Sequence, residues 1–327
     1  MGLKLYSEDS IQSIASAIRA KFNTNSSFTV TEMSQFLSSA SLGGGTYVND
    51  YTKQVSVLSV PTCSVIPNYG FYSNSVITNV TFDDCTQIYY SAFQSCSNLV
   101  SATFPACISV YAGAFAYCSN LQTVSLPECK YIYFSTFYPP FVGCSSLKTI
   151  SLPKLISVTA SVFNNLSLVS VYLSTCTLIS TSAFGSNADL TLISAPSCSM
   201  VYPYAFRYCY SLSNVDLPLL QFVGSNAFAY CSRIHTFKMG SGRTTATGSS
   251  FISRYAFRGC WNLLSFYLLT PYVTGLSSID AFYSTPISTY TTSTGGVNGS
   301  IFVPTSLLAS YKAATNWVTY SDRMVGV

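Results

Sequence analysis

Twelve cysteines, one histidine and eleven carboxylates are the residues of this 327-residue chain whose types suit covalent, metal or acid–base chemistry, and their spacing decides what they can do. Acid–base hydrolysis needs convergent carboxylates, or a nucleophile beside a base, held in one pocket. The acids here are dispersed, and Glu8, Asp9, Glu32 and Asp50 stand near the amino terminus. No Gly-x-Ser-x-Gly elbow occurs, and no glycine-rich phosphate loop with a lysine. A zinc site needs clustered ligands such as a Cys-x-x-Cys pair. There is no such pair, and His235, the single histidine, reads as an exposed surface residue. An enzyme is not expected, nor a cofactor or metal centre.

The cysteines fall instead into two columns. Cys63, Cys85, Cys107, Cys129, Cys176 and Cys198 share one slot, in which Leu155 and Leu220 also stand. Cys96, Cys118, Cys209, Cys231 and Cys260 share a second, with Cys144 displaced from it. Cysteines stacked in this way would lie about 5 Å apart, within reach of a disulfide. Leucine in the same slot is what a small buried hydrophobe predicts, so the reading favours buried free thiols.

Aromatic and basic side chains repeat too. Tyr89, Tyr111, Tyr133 and Tyr202 share one slot, and Tyr117, Tyr208 and Tyr230 another. Arg207, Arg254 and Arg258 lie with Arg233, Lys238 and Arg243 in a stretch, 190–279, whose one acid is Asp216. Tyrosine offers a flat apolar face and one hydroxyl at low entropy cost, which suits protein or glycan surfaces. These seven tyrosines and three arginines are the candidate ligand-binding residues. The alternatives are that the rings pack only against each other and that the charges merely solvate the surface.

Such columns require a repeating element. Phe71, Phe93, Phe115, Phe137, Phe163, Phe184, Phe206, Phe228, Phe257 and Phe282 align at a step of mostly 22 residues. Five residues before most of them stands an apolar residue, from Ile88 and Val110 to Val223 and Ile252; in the Phe282 coil that place falls on Ser277. Beyond each phenylalanine comes a short strand with alternating burial, as in Leu121, Val124 and Leu126, ended by Pro127, or Leu212, Val215 and Leu217, ended by Pro218. One such coil cannot bury its own apolar face, but stacked coils pool theirs into a continuous core. The expected fold is a repeat solenoid, right-handed, β-rich and of the leucine-rich-repeat kind, with about ten coils. At about 4.8 Å per coil that makes a rod roughly 45–50 Å long. Insertions at 138–141 and within 240–250 interrupt the period. The divisions expected are a helical amino-terminal module and glycine linker over 1–45, the solenoid over 46–283, and a strand–helix carboxy-terminal cap over 284–327.

The run from Cys118 through Leu121 and Val124 to Leu126-Pro127, followed by Ala-Phe at the same step, resembles the BspA-type leucine-rich repeat over roughly residues 60–282. That family comprises surface-exposed binding and adhesion proteins of bacteria and some protists, with no shared enzymatic activity, which implies a binding module. The segment with Tyr6, Ile11, Ile14, Ala15 and Ile18, then Phe28, Val30 and Met33, is similar to a short helical module at the start of many phage and prophage tail-associated proteins. That likeness implies docking to a phage tail or baseplate component through residues 1–40. Phe302, Leu308, Tyr311 and Trp317 lie in a segment that looks like the cap of these repeat proteins.

Composition narrows the classes further. Only 8% of residues are charged, against 49% hydrophobic and 15% aromatic, where an average soluble domain has roughly 25% charged residues. No apolar run approaches the ~18 residues that span a bilayer, so membrane insertion is not expected. A net charge of +4, scattered, does not suit a nucleic-acid binder. Residues 1–10 show no basic, then apolar, signal-peptide pattern, which leads to the expectation of folding in cytoplasm. Together these lead to a phage or prophage tail receptor-binding or fibre protein, assembled in host cytoplasm, located in the virion and recognising a bacterial cell-surface protein or glycan. The alternatives are a bacterial cell-surface adhesin and a self-associating filament protein, a homo-oligomer.

Overall fold

The structure is a computed structural model describing residues 57–59, 63–133, 135, 138–242, 251–288 and 298–327. The helical module expected over 1–45, Phe137 and Arg243 lie outside the described residues. The repeat folds as stacked coils joined by parallel strand ladders. The first ladder runs through Val57–Ser59, Asn79–Thr81, Ser101–Thr103, Thr123–Ser125, Thr149–Ser151, Ser170–Tyr172, Leu192–Ser194 and Asn214–Asp216 as an eight-stranded sheet. It resumes, four-stranded, through Thr236–Met239, Ser265–Leu268, Ser300–Val303 and Met324–Gly326. Val80, Ala102, Val124, Ile150, Val171 and Ile193 pair in order, one per rung, and all are buried. The alternation read from the sequence is therefore the inside–outside alternation of this ladder.

A second ladder lies where the sequence suggested only an inward apolar residue. Its two-residue strands form a four-stranded sheet from Val65–Ile66 to Tyr131–Ile132 and a six-stranded one from Ser157–Val158 to Gly275–Leu276. The break between them falls at the first insertion. In the last coil the inward slot belongs to Leu276, paired with Ile252, and not to Ser277, whose N–H donates to the Ile252 carbonyl.

The turn around each column phenylalanine carries a third set of inter-coil bonds. The N–H groups of Ser91, Phe93 and Ser95 donate to the carbonyls of Ala112, Ala114 and Ala116 at 3.1, 2.7 and 2.8 Å, and Tyr204, Phe206 and Tyr208 repeat the pattern. The residues two before and two after the phenylalanine are left-handed in these coils, with φ of 52° and 62° at Ser91 and Ser95 and of 61° and 66° at Tyr204 and Tyr208. That conformation costs a non-glycine residue roughly 1–2 kcal/mol; the bond each N–H gains to the next coil offsets it.

The phenylalanines stack along the axis. Phe71, Phe93 and Phe115 follow at 4.9 and 5.3 Å, near-parallel, and Phe184, Phe206 and Phe228 at 5.4 and 5.2 Å. One assignment is corrected: Phe141, not Phe137, fills the column, 5.5 Å from Phe115 and 5.5 Å from Phe163. The extra residues of this coil therefore precede the column position. That keeps Cys144 and Leu147 at their usual distances beyond the phenylalanine, both fully buried, so Cys144 is in its column and not displaced.

The carboxy-terminal end closes the core. A 3-10 turn (Thr305–Leu307) leads into α1 (Leu308–Ala313), the helix of the expected cap, and Tyr311, Trp317 and Tyr320 are buried. Carbonyls of the last second-ladder rung that would otherwise await a further rung take side-chain donors: Trp317 Nε1 donates to Thr274 O at 2.6 Å and Asn316 Nδ2 to Leu276 O at 2.7 Å. The Tyr320 hydroxyl donates to Ile279 O. Indole, amide and phenol thus stand in for a missing coil's backbone.

Candidate functional site

All twelve cysteines are free and buried, and the two columns do different work. In the second, each Sγ donates to the carbonyl of the phenylalanine one coil earlier: Cys96 to Phe71 at 2.9 Å, Cys118 to Phe93 at 3.0 Å, Cys144 to Phe115 at 3.0 Å. Asn187 takes the same place and role, its Nδ2 reaching Phe163 O at 2.6 Å. The slot therefore selects a small buried donor, which a purely apolar reading of cysteine does not reveal. In the first column each Sγ donates to the carbonyl two residues on, as Cys85 does to Gln87 at 3.3 Å.

Burial pushes the thiols of Cys85, Cys129, Cys198 and Cys209 from the ordinary 9.0 up to about 12. A raised folded-state pKa contributes stability that is fully present below the unfolded value and lost as pH rises through the folded one. Urea unfolding midpoints should thus show no thiol-dependent loss up to pH 8 and should fall between pH 9 and 12. An aromatic disulfide reagent at pH 8 should label the native protein negligibly and the urea-unfolded protein at every cysteine; rapid native labelling would refute the burial. Among the described residues, no group of three or more His, Cys, Asp or Glu is placed to hold a metal ion. His235 is exposed, its Nδ1 2.9 Å from Arg233 O. No helix of the described residues is long and apolar enough to cross a membrane.

The candidate tyrosines separate into two groups. Tyr89 and Tyr111 lie 4.9 Å apart, and Tyr111 and Tyr133 stack at 4.6 Å and 26°, with Tyr131 of the same coil 6.3 Å from Tyr133. Because the faces cover one another, this row offers ring edges and a comb of hydroxyls. Desolvation, then the neighbouring Tyr133 and Tyr89, raises the Tyr111 pKa. Tyr202 shares their slot but not their row; it stands edge-on to Phe222 at 5.7 Å, since Thr159 and Ser180 fill the slot in the coils between.

Tyr117 is likewise apart from Tyr208 and Tyr230. Its ring covers Gly143, where φ is +76° and an added Cβ would sit 2.6 Å from Tyr117 Cδ1. Tyr208 and Tyr230 stack at 5.1 Å. Arg207 lies over Tyr208 at 4.4 Å and Tyr204 at 5.4 Å. Arg258 lies 5.7, 5.2 and 5.5 Å from the rings of Tyr230, Tyr255 and Tyr283, and Arg254 covers Tyr255 at 4.5 Å. The structure thus joins Arg207, Tyr208, Tyr230, Arg258 and Arg254 into one aromatic–guanidinium band. The sequence reading missed Tyr204, Tyr255, Tyr283 and Trp261; tabulating the slots two before and one after the phenylalanine finds the first three.

Two further outward features went unread. Leu178, Met200, Phe222 and Phe251 pair in register along the second ladder, forming a row in which Met200 and Phe251 are exposed. On the first ladder, a cleft of about 310 Å³ is lined by Thr103, Thr123, Ser125, Thr149 and Ser170 together with Ala102, Val124 and Ile150, with Tyr172 at its side.

Residues 45–140, 139–235 and 177–302 match the family described as BspA type Leucine rich repeat region (6 copies). No curated protein matches the sequence. Among solved structures, the chain is similar to a leucine-rich repeat protein from Bacteroides ovatus, at 16% identity over 87% of this chain and 86% of that one, with a TM-score of 0.42. It is also similar to a leucine rich cell surface protein from Faecalibacterium prausnitzii, at 16% identity, 83% and 83% coverage and a TM-score of 0.37. The Pneumococcal vaccine antigen PcpA is similar at 13% identity, covering 83% of this chain and 77% of that one, with a TM-score of 0.34.

Proposed function

The chain belongs to the BspA-type leucine-rich repeat family, and from that premise we propose that it is a binding and adhesion protein that docks a bacterial cell-surface protein or glycan through its outward tyrosine and arginine side chains. The observation that carries this reading is the concentration of those side chains into ordered groups on a chain with only 8% charged residues. Rings already held by their neighbours lose little conformational freedom when a partner arrives, so more of the contact energy appears as affinity. Tyr131 and Tyr133, 44% and 46% exposed, leave the end of the first row open to a ligand.

The site of action we favour is the bacterial cell surface, on the family's habit of surface-exposed binding. A phage or prophage tail component in the virion, held to tail or baseplate through residues 1–40, is the second reading; the helical pattern at Ile11, Ile14 and Ile18 supports it. Fractionating native cells and lysates separates the two: protein in the envelope fraction supports the first, protein co-purifying with virions the second. Light scattering across concentration tests homo-oligomer or filament formation. The binding reading itself is tested by whole-cell and glycan-array binding of the Tyr111→Ala/Tyr133→Ala variant. Loss of two adjacent aromatic anchors should weaken binding by about tenfold or more; unchanged binding by a folded variant overturns the assignment of this row.

A further inference from the structure

We propose that the aromatic–guanidinium band is a site for an acidic glycan, an extended polysaccharide whose anionic groups are bridged by Arg207 and Arg258 while its sugar faces rest on neighbouring aromatic rings. The inference rests on the binding reading above and names the ligand class of one of its two groups of side chains.

Three observations carry it. First, the two guanidiniums have no carboxylate partner among the described residues. Where a carboxylate is in reach, this protein uses it: Arg254 Nε pairs with Asp280 at 2.9 Å and Lys154 with Glu128 at 2.6 Å, while Asp216 accepts from Ser194 Oγ. Among the described residues, Arg207 donates to the Tyr208 hydroxyl at 2.6 Å, and its Nε is buried without a hydrogen-bond partner. Second, the guanidiniums are pre-positioned. Arg207 packs on Tyr208, Tyr208 on Tyr230, and Arg258 against Tyr230, so two stacked rings hold the half-buried like charges apart. Their backbone slots lie two coils apart, roughly 10 Å at the spacing of paired strands, an interval suited to charges on alternate sugars. A guanidinium that keeps free N–H edges forms forked bonds to a carboxylate or phosphate. Third, the band is edged by an open aromatic surface: Trp261, 51% exposed, stands edge-on to Tyr230, and Tyr210, 45% exposed, beside Tyr208. Flat apolar faces beside forked donors match the alternation of C–H faces and anionic groups on an acidic sugar chain. A nucleic acid would call for many more cations than a net charge of +4 supplies.

The test uses the full chain immobilised, with three soluble probes: hyaluronate oligosaccharides, which carry a carboxylate on every second sugar, neutral chitin oligosaccharides of equal length, and poly-glutamate. The wild type should bind hyaluronate, with affinity falling as salt rises, and the neutral oligosaccharide at least tenfold more weakly. Arg207→Ala and Arg258→Ala should each cost about tenfold, the worth of one charge-assisted contact. Arg207→Lys should recover only part of the loss, because an ammonium lacks the fork. Unchanged thermal unfolding establishes that the variants are folded. Equal binding of charged and neutral oligosaccharides overturns the proposal, as does equal or tighter binding of poly-glutamate, which would indicate an acidic protein partner. If the arginine variants bind whole cells like wild type while Tyr111→Ala/Tyr133→Ala does not, the acidic-glycan site is refuted and the binding reading stands.

Discussion

Phe206→Ala is expected to lower the unfolding free energy by about 3–5 kcal/mol, the range for deleting a fully buried phenylalanine. Phe206 is completely buried between Phe184 at 5.4 Å and Phe228 at 5.2 Å. Its backbone is tied twice to the Phe228 coil, N–H to Ala227 O at 2.7 Å and carbonyl to Cys231 Sγ at 3.1 Å. The flanking coils are pinned by their own ladder bonds, so the void left by the ring cannot collapse, and the cost should fall toward the upper end of that range. Because each coil contacts only its neighbours, the loss should also weaken coupling between the two halves of the stack, giving a broadened or two-step urea transition. Phe206→Leu keeps most of the volume and should cost less than the alanine variant. Equilibrium urea unfolding followed by circular dichroism measures both; an alanine cost under about 1 kcal/mol would mean that the phenylalanine column is not the packing spine.

The second large effect is at the carboxy-terminal cap. Trp317→Ala removes a buried ring that packs against Tyr311 at 5.7 Å and Tyr320 at 6.2 Å, and it removes the donor to Thr274 O. The ring accounts for about 3–5 kcal/mol, and the orphaned carbonyl adds about 1–3 kcal/mol if water cannot reach it. Trp317→Phe separates the two, since it keeps most of the ring and loses only the N–H. Hydrogen exchange gives the local signature. The Ser277 amide, bonded to Ile252 O, and the Ser253 amide, bonded to Val223 O, should exchange faster in Trp317→Ala, with protection recovering along the stack toward the amino terminus. Protection unchanged at Ser277 would show that the last coil closes without the indole.

Much of this architecture is legible in the residues themselves. A 22-residue step with Leu, Val and Phe in constant slots specifies which side of each coil is buried, because an apolar residue left outward in every coil would forfeit its burial energy many times over. The first ladder follows from that alternation, and the binding reading of Tyr89, Tyr111, Tyr133, Arg207 and Arg258 from the same columns. Inward positions are determined by type, one residue at a time, and need no knowledge of the neighbouring coil.

Only the tertiary structure decided what depends on the neighbour. Phe137 and Phe141 are equally apolar, and the choice between them rests on which lets Cys144 reach Phe115 O. Asn187 joins a column of cysteines because a carbonyl of the previous coil needs a donor there, a demand invisible in a single repeat. Tyr202 stands in the slot of Tyr111 yet outside its row, because outward rings stack only where adjacent coils both supply one. Arg207 and Arg258 become a pair because Tyr208 and Tyr230 stack between them. Burial is a property of a residue and its slot, and the sequence states it directly; register, hydrogen-bond partners and surface groupings are properties of two coils at once, and they exist only when the chain is stacked.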